Sequence, residues 1–235
     1  MRVLLILLLS LLLSSNVNAQ LDIESLDGRK TRDAELAIQA LSSQWGTSSS
    51  ISAPLELGPE AFVFENWESK GEFNLLNGTK FNVQNVNFDV ATNQFQSRIS
   101  DLNYFTFDSE KLSKVDIAGR IFIKKFSIAN NGYRFYELLV QTDIFSIYKD
   151  FSIKLEPGRV RSGVTDSEVR QSLKTTYYME RENSKVNFRP SLKGLTKIFD
   201  DKKDEIKQFV KSQEIKVRTD EDIKRIALHY IQITK

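Results

Sequence analysis

The chain has 235 residues, with no cysteine and one histidine. Its 33 lysines and arginines nearly balance its 31 aspartates and glutamates, so its charge predicts no attraction to nucleic acid or to an anionic membrane. The lack of cysteine excludes a disulfide framework, a cysteine nucleophile and a lipid-modified cysteine. We therefore expect one domain, or one with a small appendage, that is stabilised by its apolar core.

The first nineteen residues have the three parts of a secretory signal peptide. Arg2 supplies a positive charge, Val3–Leu13 is apolar, and small residues follow up to Ala19. The apolar run is shorter than the roughly 20 residues that cross a bilayer, which disfavours a membrane anchor. We expect cleavage between Ala19 and Gln20, export to the periplasm or beyond it, and no transmembrane anchor in the mature chain.

Residues 20–60 are predicted to form a weakly ordered lead-in. The stretch from Arg32 to Leu41 has the apolar spacing of a short helix. A serine-rich segment with glycine and two prolines, including Ser48 to Ser50, follows it. This composition is typical of a flexible connection.

Residues 61–190 alternate between apolar and polar side chains, which predicts an antiparallel β domain. Asn77-Gly78 predicts a two-residue hairpin turn, because both residues tolerate a positive φ. The apolar positions change from odd to even numbers between Val83 and Val86, which we interpret as a β-bulge. Short strands at this spacing are typical of a meander that closes as a sandwich or a barrel.

Three further features complete the predicted β domain. The segments 121–123 and 136–140 are apolar on both faces, as in central strands. Residues 156–172 contain glycine, proline and many charges and are predicted to form a long exposed loop. Four basic residues in and beside this loop could bind an acidic lipid or polysaccharide: Arg159, Arg161, Arg170 and Lys174. Acidic residues are interspersed among them, which favours a solvated loop. A last hairpin is predicted to turn at residues 182–184.

Residues 191–235 are predicted to be helical and to pack on the β domain. Ser191 is a candidate cap for the first helix, and Asp200 or Asp201 for a second. Thr219 and Asp222 resemble a capping box in which aspartate replaces the usual glutamate. The predicted fold class is α+β and mainly β, an antiparallel meander followed by a C-terminal helical hairpin.

Several short pieces of sequence carry a resemblance to a known group of proteins: Tyr136–Val140, Tyr177-Tyr178, Asn183–Lys185, Ser191–Lys193, Ile198-Phe199, Lys202–Ile206, Asp222–Arg225 and Tyr230. In their order they resemble small exported proteins of Bacteroidota that have no assigned activity. The likeness spans roughly residues 61 to 230. It implies a β-rich domain with C-terminal helices and a location in the bacterial envelope, and it supplies no catalytic residues.

The usual catalytic and cofactor motifs give no positive prediction. His229 lies beside the apolar stripe of the last predicted helix, where a partly exposed surface residue is expected. Triads of the Ser–His–acid type need a positioned base, and most zinc sites need several histidines or cysteines. Neither common glycine-rich phosphate loop is present. We predict no catalytic, metal-binding or cofactor-binding residue and no cofactor.

Carboxylates need a separate test, because glycoside hydrolysis requires only two of them. The candidates in the β domain are Glu65, Glu68, Glu72, Asp89, Asp101, Asp108, Asp116 and Glu137. Glu137 stands out because its neighbours along the chain are apolar. We favour the alternative that it is a strand residue at an edge or facing a basic partner.

Two other patterns have simpler explanations than a ligand site. The acidic residues of the tail lack the spacing of a calcium loop and are typical of helix starts: Asp200, Asp201, Asp204, Glu205 and Asp220–Asp222. Asn77-Gly78-Thr79 matches a glycosylation acceptor, but the hairpin turn explains it better in a bacterial protein.

The sequence thus leaves three hypotheses for function. The first is an exported, non-enzymatic binding or structural protein whose β domain presents a surface or an edge strand to another envelope protein. The second is a carrier of an apolar ligand such as a lipid, because the 16 phenylalanines could line a cavity as well as fill a core. The third is a glycan hydrolase that depends on two carboxylates.

Overall fold

The structure is a computed structural model that describes residues 46–50, 61–99, 103–156, 170–182 and 184–234. The predicted signal peptide with Ala19 and Gln20, the predicted helix from Arg32 to Leu41, and Asp101 lie outside the described residues. So do Arg159 and Arg161 of the predicted loop. No helix in the described part of the chain is both long and apolar enough to cross a membrane.

Two antiparallel sheets account for the strands of the described residues. Their bounds are β1 Gly46–Ser50, β2 Gly71–Leu75, β3 Lys80–Val83, β4 Val86–Asp89, β5 Gln94–Arg98, β6 Asn103–Phe107, β7 Leu112–Ile117, β8 Arg120–Ser127, β9 Gly132–Gln141, β10 Ser146–Glu156, β11 Arg170–Arg181 and β12 Ser184–Phe188. The larger sheet has eight strands in the order β12-β11-β10-β9-β8-β7-β2-β3. The smaller has four, in the order β1-β6-β5-β4.

Three helices follow the sheets: α1 Leu192–Ile198, α2 Lys203–Ser212 and α3 Asp220–Thr234. A 3-10 turn over Asp200–Lys202 separates α1 from α2. The predicted fold class, α+β and mainly β with antiparallel strands and C-terminal helices, is confirmed. The two segments predicted to be central strands lie in β8 and β9, each of which has a strand on both sides.

The first core lies between the two sheets and is built largely of phenylalanine rings. Phe73 lies 4.3 Å from Phe107 between ring centroids, and Phe95 lies 4.8 Å from both Phe88 and Phe135. Many of the pairs are tilted or edge-on, the arrangements that aromatic quadrupoles favour. The alternating apolar residues of the sequence therefore place these rings against one another, between the sheets.

The second core lies between the helices and strands β9–β11. Its buried members include Leu139, Ile147 and Met179 from the sheet and Phe199, Ile206, Ile226 and Tyr230 from the helical tail. Phe199 and Tyr230 stack with ring centroids 4.3 Å apart. The eight-stranded sheet is thus covered on one face by two different layers, the small sheet at one end and the helices at the other.

Local capping signals at two helix starts are confirmed. The Ser191 side chain accepts a hydrogen bond from the Gly194 N–H at 3.2 Å. Thr219 and Asp222 form the expected reciprocal pair, with bonds of 3.2 and 3.1 Å. The prediction that Asp200 or Asp201 caps a helix is wrong, because both belong to the 3-10 turn and Lys202 occupies the cap position without a side-chain bond.

A hairpin turn at Asn77-Gly78 is confirmed, but it is not the predicted two-residue turn. The Leu75 N–H donates to the Thr79 carbonyl at 2.9 Å, so the loop spans residues 76–78, and of the Asn77-Gly78 pair only Gly78 has a positive φ. The turn joins β2 to β3, Gly78 has a φ of 86°, and the Asn77 side chain accepts a hydrogen bond from the Thr79 N–H at 3.0 Å. This conformation suits glycine, since a Cβ disfavours a positive φ. The hairpin, rather than glycosylation, accounts for the geometry of these residues.

The predicted bulge between Val83 and Val86 is wrong. Val83 ends β3 in the eight-stranded sheet, and Val86 begins β4 in the four-stranded sheet. Asn85 turns the chain between them with a φ of 55°. The apolar residues switch from odd-numbered to even-numbered positions because the chain passes from one sheet to the other. Each strand then faces the shared core from its own side.

The serine run is a second correction. Residues 46–50 form β1, which pairs with β6 in an antiparallel register from Gly46 opposite Phe107 to Ser50 opposite Asn103. The prediction of a flexible connection is wrong for these five residues, because strand pairing uses backbone groups that every non-proline residue carries. The predicted loop is also shorter at both ends, since Leu155 pairs with Gln171 and Glu156 with Arg170.

Candidate functional site

Strands β8–β12 have two chemically different faces. Side chains alternate between the faces along each strand. The face that packs against the small sheet and the helices, called the inner face here, carries a row of register partners across the strands: Phe122, Glu137, Lys149, Tyr177 and Phe188. Residues next to these along the chain point to the opposite, outer face.

The outer face carries three tyrosines on three neighbouring strands. Tyr136 of β9, Tyr148 of β10 and Tyr178 of β11 form what we call the tyrosine cluster. Tyr136 is 1% exposed and Tyr148 is 5% exposed, although both lie on the face away from the helices. The rings of Tyr136 and Tyr178 are nearly perpendicular, at 86°, with centroids 6.5 Å apart.

A salt bridge shows how strongly the sheet coils around this cluster. The Lys125 Nζ of β8 lies 2.6 Å from the Glu180 carboxylate of β11, three strands away. Neighbouring strands lie about 4.8 Å apart, so in a flat sheet these two strands would be about 14 Å apart. The twist of the sheet brings the two side chains together diagonally across the outer face.

Two lysine ammonium groups lie on the tyrosine rings. The Lys185 Nζ of β12 lies 4.2 Å from the ring centroid of Tyr136 and 4.3 Å from that of Tyr178. The Lys125 Nζ lies 4.4 Å from the centroid of Tyr148 and donates a hydrogen bond to its hydroxyl at 3.0 Å. All three distances are within the range of cation–π attraction.

Lys125 is fixed by its two hydrogen bonds. Burial by itself lowers the pKa of an ammonium group, but the bonds to Glu180 and Tyr148 outweigh it and raise the pKa of Lys125. Lys185 differs, because it is an exposed residue of an edge strand whose ammonium group meets ring faces.

Asp150 and Arg134 lie at the edge of the tyrosine cluster, where β9 and β10 diverge. The pairing of these strands ends at Lys149 and Glu137, and the Arg134 guanidinium bridges to β10 with a bond to the Phe151 carbonyl at 3.0 Å. It lies 3.6 Å from Asp150 Oδ1, a buried atom that receives no hydrogen bond within the described residues. Burial raises the pKa of Asp150, and the charges of Arg134 and Lys185 oppose this effect.

A second polar cluster lies on the inner face, between the two cores. Glu137 accepts bonds from Arg120 at 2.9 and 2.7 Å, and it also lies 3.1 Å from the Lys149 Nζ. Lys149 in turn lies 2.6 Å from Asp220, the first residue of α3. Tyr177 donates to the same Asp220 at 2.9 Å. We call these five residues the junction network, because they tie the helices to the sheet.

Each charged group in the junction network contacts a group of opposite charge. Glu137 is 3% exposed and Lys149 is 7% exposed, and burial of either alone would be very costly. The guanidinium of Arg120 also lies 4.7 Å from the ring centroid of Phe64. Burial, and then the hydrogen bond to the negatively charged Asp220, raise the pKa of Tyr177 well above its ordinary value. Tyr177 is therefore a neutral hydrogen-bond donor.

The structure places the carboxylates of the sequence analysis in different roles. Glu137 faces basic partners, as the favoured alternative expected. Three others cap turns with their side chains: Asp89, Asp108 and Asp116. Glu72 is an exposed residue that lies 3.6 Å from Lys80, and Glu65 and Glu68 are exposed.

The residues of the tail are explained by helix packing and capping. His229 stacks on Phe209 with ring centroids 3.8 Å apart and is partly exposed. Asp201 accepts a hydrogen bond from the Tyr230 hydroxyl, at 3.1 and 3.0 Å from its two oxygens. Asp204 pairs with Lys207 at 2.9 Å. The described part of the chain holds no group of three or more histidine, aspartate and glutamate side chains that could bind a metal ion.

Sequence reasoning missed the tyrosine cluster. The three tyrosines lie 12 and 30 residues apart in sequence, and only the register of β9, β10 and β11 brings them together. A tyrosine at alternate positions of several predicted strands was the available signal. It does not identify which strands are neighbours or where the sheet coils.

Comparison with known proteins adds no relative from which a role could be transferred. No protein-family model, curated protein or solved structure matches the chain.

Proposed function

We propose that the protein is exported and non-catalytic, and that it binds a polypeptide partner at the exposed edge of β12 and on the adjoining tyrosine cluster. The observation that carries this proposal is the position of Lys185, which extends from β12 over the tyrosines. In the described sheet β12 pairs on one side only, with β11, and four of its five residues are exposed. Extended peptides add to sheets at such edges, where the backbone supplies affinity and side chains supply specificity.

The junction network supports a structural role for the inner face. Both oxygens of Glu137 accept bonds from Arg120, and the carboxylates of Glu137 and Asp220 both contact Lys149. A glycosidase needs one carboxyl group to act as an acid and another to act as a nucleophile or base. Because both carboxylates are held by basic side chains, a structural role is favoured over glycoside hydrolysis at this site.

The carrier of an apolar ligand is the other function that the sequence raises. Its phenylalanines would have to line a space large enough for the ligand. In the described core the rings contact one another instead, as Phe73 does with both Phe81 and Phe107. This packing favours binding at the surface over carriage in the interior.

Site-specific photo-crosslinking in the native envelope tests the proposal. A photoreactive amino acid replaces Asn187, an exposed outer-face residue of β12, in the full chain. The matched control replaces Gln208, an exposed residue of α2. We expect a discrete protein adduct from position 187 and none from 208, and an intact mass that corresponds to cleavage between Ala19 and Gln20.

Two results would contradict this function. The first is an adduct from position 208 without one from 187, which would place the partner on the helices. The second is a chain that keeps residues 1–19 and stays in the cytoplasm, which would remove the export on which an envelope partner depends.

A further inference from the structure

The corner between Tyr136 and Tyr178 has the geometry of a site for a positive charge. The two rings are nearly perpendicular, and the Lys185 Nζ lies between them at 4.2 and 4.3 Å from their centroids. The negative faces of both rings therefore point at one ammonium group. Aromatic cages that recognise alkylammonium ligands use this same attraction.

A carboxylate adds to the attraction. Asp150 lies in the strand between those of the two tyrosines, two residues from Tyr148, the register partner of Tyr178, so it points to the same outer face. Its buried Oδ1 receives no hydrogen bond among the described residues, and the charge nearest to it is Arg134 at 3.6 Å. Lys185 thus contacts two ring faces on a part of the outer face that also carries the Asp150 carboxylate, and Arg134 is the cation next to that carboxylate.

The walls of the site and its occupant differ in how firmly they are held. Tyr136 is 1% exposed in β9, in the interior of the eight-stranded sheet. Lys185 belongs to the five-residue edge strand β12, and it and both its neighbours along the chain are exposed. Lys185 can leave the rings by rotation of its own side chain, whereas the buried Tyr136 is held in the interior of the sheet.

We propose that Tyr136, Tyr178 and Asp150 form a recognition site for an alkylammonium group, which Lys185 occupies in the free protein and which an ammonium group of the partner takes over. This deepens the proposed function, on which it rests for the identity of the partner as a polypeptide. The ligand class is a primary or methylated ammonium on an alkyl chain, such as a lysine side chain. Lys185 is then a built-in competitor that keeps the site closed until the partner binds.

A different role for Lys185 makes the opposite prediction. Charged residues that point inward from an edge strand protect sheets against unwanted pairing. If this were the only role of Lys185, its removal would leave two tyrosines with no affinity for added ammonium ions. Binding of such an ion therefore separates the two accounts.

Chemical rescue with n-butylammonium, which mimics the end of a lysine side chain, is the test. The ring resonances of Tyr136 and Tyr178 are followed by NMR while the ion is added to the full mature protein. In Lys185→Ala we expect saturable shifts of both rings, with an affinity at least about tenfold higher than in the wild-type protein, where the site is open for a small fraction of the time. The neutral analogue 1-butanol should give no saturable shift.

Two control variants define the site. Lys174→Ala removes another exposed lysine, from β11, and should bind n-butylammonium as weakly as the wild-type protein. Lys185→Ala combined with Tyr178→Leu should lose the binding. Lys185→Ser replaces Lys185→Ala if the alanine variant does not fold.

The inference is overturned if a folded Lys185 variant shows no saturable binding, or if it binds equally well without the Tyr178 ring. It is also overturned if 1-butanol binds as well as the ion. The outcome is independent of the crosslinking experiment, because n-butylammonium needs no partner. If position 187 gives no crosslink but the Lys185 variant binds n-butylammonium, the polypeptide partner is rejected and the ammonium site stands. If position 187 gives a crosslink but the variant does not bind n-butylammonium, the ammonium site is rejected and the partner stands.

Discussion

Lys149 and Lys185 belong to the same sheet, but their surroundings differ. Lys149 lies on the inner face, where its ammonium group is 3.1 Å from Glu137 and 2.6 Å from Asp220. Lys185 lies on the outer face, where its ammonium group meets two tyrosine rings. The first lysine joins the helices to the sheet, and the second closes a surface site.

Burial and charge pairing distinguish a lysine that supports the fold from one that can take part in recognition. A buried ion pair costs several kcal/mol when one partner is lost, because the other remains charged and dry. A cation on an aromatic face at the surface contributes only about 0.5–1 kcal/mol. The junction network is therefore suited to hold two layers together, whereas the tyrosine cluster is suited to exchange one cation for another.

The largest expected effect is that of Lys149→Met. Methionine keeps most of the volume but removes the cation that Glu137 and Asp220 share. Glu137 keeps its bonds from Arg120 and Asp220 keeps its bond from Tyr177, so the free energy of unfolding should fall by about 3 kcal/mol, the low end for a broken buried pair. The matched control is Lys185→Met, which should lose about 1 kcal/mol or less. Urea denaturation of both variants measures the difference. Equal losses would contradict the distinction between the two lysines.

A smaller effect is expected for Tyr177→Phe, with a specific dependence on pH. At pH 8 the variant loses a hydrogen bond to a charged acceptor, so its free energy of unfolding should be about 1.5–3 kcal/mol lower. The pKa of Tyr177 is raised in the folded state above its ordinary value of 10.0. Above pH 10 the unfolded chain therefore loses this proton first, and the stabilisation by Tyr177 declines.

The difference in free energy of unfolding between the wild-type protein and Tyr177→Phe should accordingly become smaller as the pH rises from 9 to 11. Denaturation at a series of pH values measures it. The pKa values of Tyr178 and Tyr230 are also raised by burial, so both proteins should lose stability in this range, the wild type more steeply. A gap that widens with pH would contradict the assigned role of Tyr177.

The sequence predicts the local features of the fold better than those that depend on residues far apart in the chain. The turn at Asn77-Gly78 and the caps at Ser191 and Thr219 depend on residues three or fewer positions apart, and all were predicted. The change of sheet after Val83 depends on long-range packing, and the sequence wrongly predicts a bulge there. A change of register and a change of sheet leave the same mark on an alternating pattern.

The candidate site was less predictable than the fold, for a physical reason. Lys125 and Glu180 are 55 residues apart, and their contact requires four strands to coil in a particular way. The apolar neighbours of Glu137 along the chain make it stand out in the sequence, which favours a strand residue at an edge or facing a basic partner. Its actual partners come from the two adjacent strands: Lys149 is its register partner in β10, and Arg120 lies two residues from its register partner Phe122 in β8.

The most direct test of the account is an NMR titration of the wild-type protein with its lysine side chains labelled with carbon-13. The ε-methylene signal of Lys185 should lie upfield, because ring currents of Tyr136 and Tyr178 act on it. On addition of n-butylammonium this signal should move towards the position of a solvent-exposed lysine, while that of Lys149 stays in place. A Lys185 signal that does not move, or one that moves together with Lys149, would contradict the claim that the outer face exchanges a cation and the inner face does not.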